Sequence, residues 1–331
     1  MSLFIASLNS GSNGNCYYIG NEQEAVLIDA GISCRETVKR MSRLGLSMEK
    51  VKAIFISHEH SDHIRGLAVL SKKYQCPVYI TAGTLQHSGL LLEQELVRSF
   101  QAFEPITIGN LSITGFPKFH DASEPHSFVV DGHSIRIGIF TDIGIGCEQL
   151  IHHFKHCHAA FLEANYDEEM LDKGRYPYYL KNRIRGGKGH LSNKQALEIF
   201  TAHRPVFMSH LLLSHLSRDN NDPSLVQELF DQHAGDTKII VASRYVETEL
   251  LQIYSNGVPS PWIGSSPIPS FSTAIAAAAA AEQAATAVTA AVNAVALPTV
   301  APASAAPAIS RRKPKASTST AADSVSQMRL F

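Results

Sequence analysis

Short apolar runs separated by Gly, Ser, Asn and Pro fill residues 1–255. Runs at 3–8, 16–19 and 25–28 read as strands, the first two joined by the polar loop Asn9 to Asn15. Ser33 then caps a predicted helix to about Leu44, with Val38, Met41 and Leu44 at helical spacing. A buried strand at 51–56 runs into a histidine-rich loop, followed by a predicted helix at 64–74. Strands are expected at 77–80, 106–108, 111–116, 127–130, 135–141, 159–163, 206–209 and 238–242, with helices at 148–154, 193–202 and 224–232. Strands in runs with interspersed helices predict an α/β (α+β) architecture of layered sheets, without internal repeats.

The pattern changes at Asn256. The rest of the 331-residue chain holds eight of the 15 prolines, none of the 16 histidines, and an alanine-rich run from Ala274 to Ala296 interrupted by Glu282, Gln283 and Asn293. That run lacks a wide apolar stripe and is too polar for lipid, so a pliable tail with transient helix is expected over 256–331. The tail carries Arg311, Arg312, Lys313, Lys315 and Arg329 against Glu282 and Asp323, net +3; the total of −1 leaves −4 for residues 1–255. Five scattered cysteines without a CxxC pair argue against a disulfide framework or zinc ribbon and fit a reducing cytoplasm. No basic leader precedes Phe4-Ile-Ala, and no membrane span is expected.

Histidine is the informative excess. His58-x-His60-x-Asp62-His63 follows the buried run Ala53-Ile-Phe-Ile56 and precedes Ile64 and Leu67. In loop backbone His58 and His60 project the same way and grip one ion, while Asp62 and His63 face a second. Imidazole and carboxylate without thiolate suit zinc first, then manganese or iron. A second cluster (His152, His153, His156, His158) has helical spacing but no partner motif, and reads as incidental surface.

This motif and its position resemble the metallo-β-lactamase superfamily, whose fold is a four-layer αββα sandwich. Other superfamily motifs appear in order: Asp29 in Val-Leu-Ile-Asp-Ala-Gly31, His120 in Phe-His-Asp-Ala, Asp142 in Phe-Thr-Asp-Ile-Gly144 and His215 in Ser-His-Leu-Ser. The resemblance implies two divalent ions: one on His58, His60 and His120, the other on Asp62, His63 and His215, with Asp142 shared and Asp29 in support. His210, also after Ser209, rivals His215 for the last place; the run Asp219-Asn-Asn221 favours His215. Within the superfamily, Ser10-Gly-Ser-Asn-Gly-Asn-Cys16, Leu162-Glu-Ala-Asn165 and Gly189-His-Leu-Ser-Asn193 look like the bacterial YycJ/WalJ exonuclease group. Tyr166 departs from the histidine expected there, so no proton-transfer role is assigned to that position.

The resemblance implies a DNA exonuclease of repair or replication, with a hydroxide bridging the two ions as nucleophile. A metal-dependent hydrolase of a small thioester or lactone-like substrate is the alternative. The catalytic candidates are Asp62, with His190 as proton donor to the leaving oxygen and Glu163 as its orienting partner. Ser10, Ser12 and Asn15 are candidates for a phosphate-cradling loop, and Arg183, Arg185 and Lys188, beside Lys181, for gripping a nucleic-acid backbone. The final Gln327-Met-Arg-Leu-Phe331 resembles the peptide by which bacterial DNA enzymes dock on the sliding clamp, with Gln327 as polar anchor and Met328, Leu330 and Phe331 in an apolar pocket. A pliable tether of about 70 residues spans roughly 45 Å root-mean-square.

Overall fold

Alternating apolar positions build two sheets in a computed structural model that describes residues 1–255. The first is laid down by β1 (Ser2–Asn9), β2 (Cys16–Gly20), β3 (Ala25–Ile28), β4 (Val51–Phe55), β5 (Val78–Tyr79) and β6 (Val97–Arg98). The second takes β7 (Pro105–Ile108), β8 (Leu111–Pro117), β9 (His126–Gly132), β10 (Ile135–Phe140), β11 (Ala159–Glu163), β12 (His210–Ser214) and β13 (Lys238–Val241). The chain then returns through β14 (Leu251–Tyr254) to pair antiparallel with β1. Strand orders are β14-β1-β2-β3-β4-β5-β6 and β13-β12-β11-β10-β9-β8-β7. Pairing is parallel from β3 to β6 and from β10 to β13, so several strands of each sheet end on one edge.

The period of two sorts each strand onto two faces. Ile28, Phe55, Phe128, Ile137, Phe161 and Leu212 meet between the sheets, where Tyr17 lies 4.8 Å from Phe161 and Phe55 lies 5.8 Å from Phe128, centroid to centroid. On the outer face of the first sheet, Leu27 and Ile54 pack with Met41 of α1 (Cys34–Arg43), Ile64 of α2 (Ser61–Ile64) and Leu67 and Leu70 of α3 (Leu67–Tyr74); α4 (Ala82–Ser88) follows β5. The second sheet presents Phe140, Leu162, Leu211 and Leu213 to Phe154 of α5 (Glu148–Phe154). Beyond α6 (Glu168–Lys173) and α7 (Tyr178–Arg185), the same layer takes Phe200 of α8 (Asn193–His203) and Phe230 of α9 (Pro223–Asp231). Each such side chain contributes about 1.5–3 kcal/mol on burial. The result is the αββα sandwich.

Caps fix the segments that matter. Ser33 Oγ accepts from Glu36 N to start α1, and Ser192 and Gln195 form a reciprocal capping box that starts α8 just after His190 and Leu191.

Some expectations need correction. The segment 206–209 is not a strand: Met208 N donates to Pro205 O in a turn and Val206 is fully exposed. The strand lies one step on, where Leu211, Leu212 and Leu213 fill both faces of the second sheet. The single helix at 64–74 is two, broken at Gly66, whose N–H donates to Ala30 O and where a Cβ would sit 1.9 Å from Ile32 O. The cluster at 152–158 is not all surface. His158 is fully buried and His153 nearly so, its ring 4.3 Å from that of Phe116. The alanine-rich run and the C-terminal peptide lie outside the described residues.

Candidate metal centre

The chemistry gathers where strands of both sheets end, the edge on which open α/β sheets place their ligands. Asp29 follows β3, Ser57 to His63 follow β4, and His120 follows β8; Asp142 follows β10, Glu163 ends β11 and His215 follows β12. Three of these, Asp29, Asp142 and His215, hold left-handed backbone with φ of 62°, 56° and 57°. That conformation costs a non-glycine residue about 1–3 kcal/mol and is kept only where surrounding bonds fix it. Asp29 N donates to Phe55 O at 2.8 Å, and His215 N donates to Ser10 Oγ at 2.7 Å. Asn15 N donates to Asp62 O at 2.7 Å, and that carbonyl lies so close to Gly31 that a Cβ there would sit 1.6 Å from it. Gly31 in the Asp-Ala-Gly motif is therefore a condition for the Asp62 loop's position.

The first group is His58, His60 and His120. His58 Nε2 and His120 Nε2 lie 3.1 and 3.3 Å from His60 Nδ1. The far nitrogens are already committed: His58 Nδ1 to Ser57 Oγ at 2.9 Å and His120 Nδ1 to Gly189 O at 3.1 Å. Such bonds fix the tautomer and turn the remaining lone pair toward a shared point. The second group is Asp62, His63 and His215, with Asp62 Oδ2 3.4 Å from both His63 Nε2 and His215 Nε2. Asp29 Oδ2 receives His63 Nδ1–H at 2.7 Å, and Glu163 Oε1 receives His215 Nδ1–H at 3.2 Å. Asp142 sits between the groups, its Oδ2 3.2 Å from His63 Nε2 and its Oδ1 3.4 Å from His215 Nε2 and 3.8 Å from His120 Nε2.

The electrostatics ask for added positive charge. Burial opposes ionisation of Asp142, yet His215, His63 and Lys118 hold it well below the usual carboxylate range; burial and the pair His63 and His215 act on Asp62 the same way. Burial disfavours charge on His215, but Asp142, Asp62 and Glu163 push it up to about 10. Burial keeps His58 neutral and brings His120 down to about 3, leaving their lone pairs free. Asp142 Oδ2 is buried and makes no hydrogen bond, and the buried Lys118 Nζ stays 4.0 Å from it while donating to Thr141 O at 2.7 Å. A buried anionic oxygen with no hydrogen bond, grouped with the nitrogens of His58 and His63, fits a cation's ligand set better than a structural carboxylate. The His and Asp clusters fit divalent metal.

Comparison with known proteins agrees. Residues 24–216 match the family model of the β-lactamase superfamily domain. The chain is 32% identical over 266 residues to the exodeoxyribonuclease YycJ of Bacillus anthracis, covering 74% of this chain and 100% of the relative. The chain belongs to the metallo-β-lactamase superfamily, in the YycJ/WalJ group. It is likewise 32% identical over 261 residues to the exodeoxyribonuclease WalJ of Streptococcus pneumoniae, covering 74% of this chain and 96% of that one. The metallo-β-lactamase fold protein YhfI of Bacillus subtilis superposes with a TM-score of 0.59 at 15% identity, over 76% of this chain and 99% of that chain, a likeness of fold. As a member of this superfamily the protein is a metal-dependent hydrolase. No helix among the described residues is long and apolar enough to cross a membrane.

The other predicted residues of this YycJ/WalJ member fall into distinct places. Glu163 is fully buried and held down to about 2, burial being outweighed by His190 and His215. Its Oε1 accepts from His190 Nδ1 at 2.7 Å, and its Oε2 accepts from Ile143 N and Leu191 N at 2.7 and 3.3 Å. The His190 ring stacks on that of His215 at 5.3 Å. Ser10 and Asn15 do not line an open cradle. Ser10 Oγ is spent on His215 N and Tyr17 OH, and Asn15 Nδ2 donates to Asp62 Oδ2 at 3.1 Å. Ser12 is exposed. Arg183 and Arg185 are exposed and paired with Asp121 and Asp172, and Lys188 is exposed. Gln327, Met328, Leu330 and Phe331 lie outside the described residues. His210 begins β12, at the opposite end of the strand from His215, about 16 Å away at strand spacing. It takes no part in the cluster.

Sequence reasoning missed Lys118 and the side chain of Asn165, whose Nδ2 donates to His215 O at 2.7 Å. Asn165 lies in the Leu162-Glu-Ala-Asn165 motif, which is a signal for it. Lys118, a lone lysine after Phe116-Pro117, carried no signal.

Proposed function

We propose that this protein is an exodeoxyribonuclease of DNA repair or replication that works with two divalent cations. The observation that carries the reading is the gathering of six donors, all buried but the half-buried His60 and Asp62, around the buried Asp142. On this reading His58, His60 and His120 hold one cation, Asp62, His63 and His215 hold the other, and Asp142 is shared. The donor set favours zinc, with manganese or iron as substitutes. Bound cations supply Lewis acidity toward phosphate oxygens and a water activated near neutral pH.

The chain's own groups do the rest. Asp29, Ser57, Gly189 O and Glu163 fix the imidazole tautomers, and the Lys118 cation balances the carboxylates from behind Asp142. Glu163 receives the Nδ1 proton of His190, leaving Nε2 to give a proton to the leaving oxygen. Arg183, Arg185 and Lys188 face the DNA backbone, and Ser12 heads a loop beside it. Residues 1–255 form the catalytic unit, and residues 256–331 a tail that docks on the sliding clamp through Gln327, Met328, Leu330 and Phe331. The five unpaired cysteines fit a cytoplasmic protein. The names of the relatives YycJ and WalJ support DNA as substrate.

End-labelled single-stranded and duplex DNA, incubated with the manganese- or zinc-loaded chain, tests this. Stepwise shortening that Asp142→Ala abolishes is expected. Intact DNA alongside fast thioester hydrolysis would overturn it.

A further inference from the structure

The helix α7 buries none of its residues. Eight residues are too few to persist as an isolated helix, so it is held from outside: Leu180, Lys181 and Ile184 are half-buried, Lys181 Nζ donates to Asp172 O at 2.7 Å, and the C-terminal end is tied most closely. There His190 N donates to Ile184 O at 2.8 Å, Arg183 Nε donates to Asp121 Oδ2 at 2.5 Å, and Arg185 pairs with Asp172. The other end carries Tyr178 and Tyr179, 79% and 69% exposed. Neither ring belongs to the hydrophobic core or to the metal centre, and adjacent solvated tyrosines on a short helix ask for an occupant.

Position says what that occupant is. Tyr179 and Arg183 are four residues apart, on one face of α7 and about 6 Å apart along its axis. Asp121, which holds Arg183, lies with its Oδ1 3.4 Å from His120 Nε2 and 4.0 Å from His60 Nε2. The face bearing Tyr179 therefore leads onto the rim of the metal centre. Lys181, Arg183, Arg185 and Lys188 supply four cations along this segment against the carboxylates of Asp121 and Asp172.

We infer that Tyr179 is a stacking platform for a nucleobase of an unpaired DNA strand entering the site. This rests on the nuclease reading above and adds the substrate form to it. Cations attract the phosphates of any nucleic acid and do not sense strandedness. An aromatic face does, because in a duplex both faces of each base are already stacked, whereas an unpaired base offers its own. The platform therefore selects a single strand or a frayed end, and it tolerates sequence, because every base has such a face.

The test is fluorescence anisotropy of the full chain with a labelled single-stranded oligonucleotide, in chelator so that nothing is cut. Tyr179→Ala is expected to weaken binding about 5- to 150-fold, the range for loss of one stacked base, and Tyr179→Phe to retain it. An abasic nucleotide walked along the strand should reach a position where wild type and Tyr179→Ala bind alike. Unchanged binding in Tyr179→Ala, an equal loss at every abasic position, or no single-strand binding by wild type overturns the inference. Binding that follows Tyr179 without DNA degradation on metal addition sinks the nuclease reading and leaves the platform standing. Degradation with no Tyr179 effect does the reverse.

Discussion

Glu163→Gln is the most informative single change, because all four of the carboxylate's hydrogen bonds are received. One oxygen takes the Nδ1 protons of His190 and His215, and the other takes the N–H groups of Ile143 and Leu191. Glutamine can receive on one side only. With its carbonyl toward the imidazoles, its NH2 faces two backbone donors, and two buried mismatches at about 1–3 kcal/mol each cost about 2–6 kcal/mol. For a unit of this size even the lower value lowers the melting temperature by about 4–8 °C. With the amide reversed, both imidazoles must move their proton to Nε2. That blocks His215 as a ligand and leaves His190 badly set for proton transfer, a loss of about 10²–10⁴ in kcat. Melting of the metal-free variant, its metal content and its DNA turnover together separate the two orientations. A variant that melts like wild type, binds full metal and turns over at the wild-type rate would show that Glu163 does not hold the two imidazoles in place.

Further expectations follow from other contacts. Ser10→Ala leaves the buried His215 N–H without its acceptor at a left-handed residue, so the urea midpoint should report a loss of about 1–3 kcal/mol and metal affinity should fall. Gly31→Ala drives a Cβ into Asp62 O, and a destabilisation of about 3 kcal/mol or more with loss of metal is expected from denaturation and metal analysis. Burial pushes the thiols of Cys16 and Cys157 up and that of Cys76 up to about 12, so they stay protonated at pH 8. A thiol reagent should leave these three unlabelled in the native protein and react with all five cysteines in guanidinium.

The legible part of the site was the part written contiguously. His58, His60, Asp62 and His63 share one loop after a buried strand, so their convergence follows from local geometry. His120, Asp142 and His215 come from three different strand ends, and only the family resemblance linked them. Direction was hidden. The loop from Ser10 to Asn15 has the composition of an anion cradle, yet Ser10 and Asn15 turn inward to hold His215 and Asp62. His153 reads as polar until Phe116, distant in sequence, is seen against its ring. At 206–214 two apolar runs competed, and the longer one won because it covers both faces of a sheet. β14 was missed because its partner, β1, lies at the other end of the folded unit.

On the proposed function, DNA hydrolysis depends on two cations held around Asp142. Titrating the metal-free chain with manganese while recording nucleotide release from end-labelled DNA tests it directly. Release is expected to rise to a plateau at about two equivalents per chain and to be absent in Asp142→Ala. Release that persists in chelator, or a plateau at one equivalent, would contradict it.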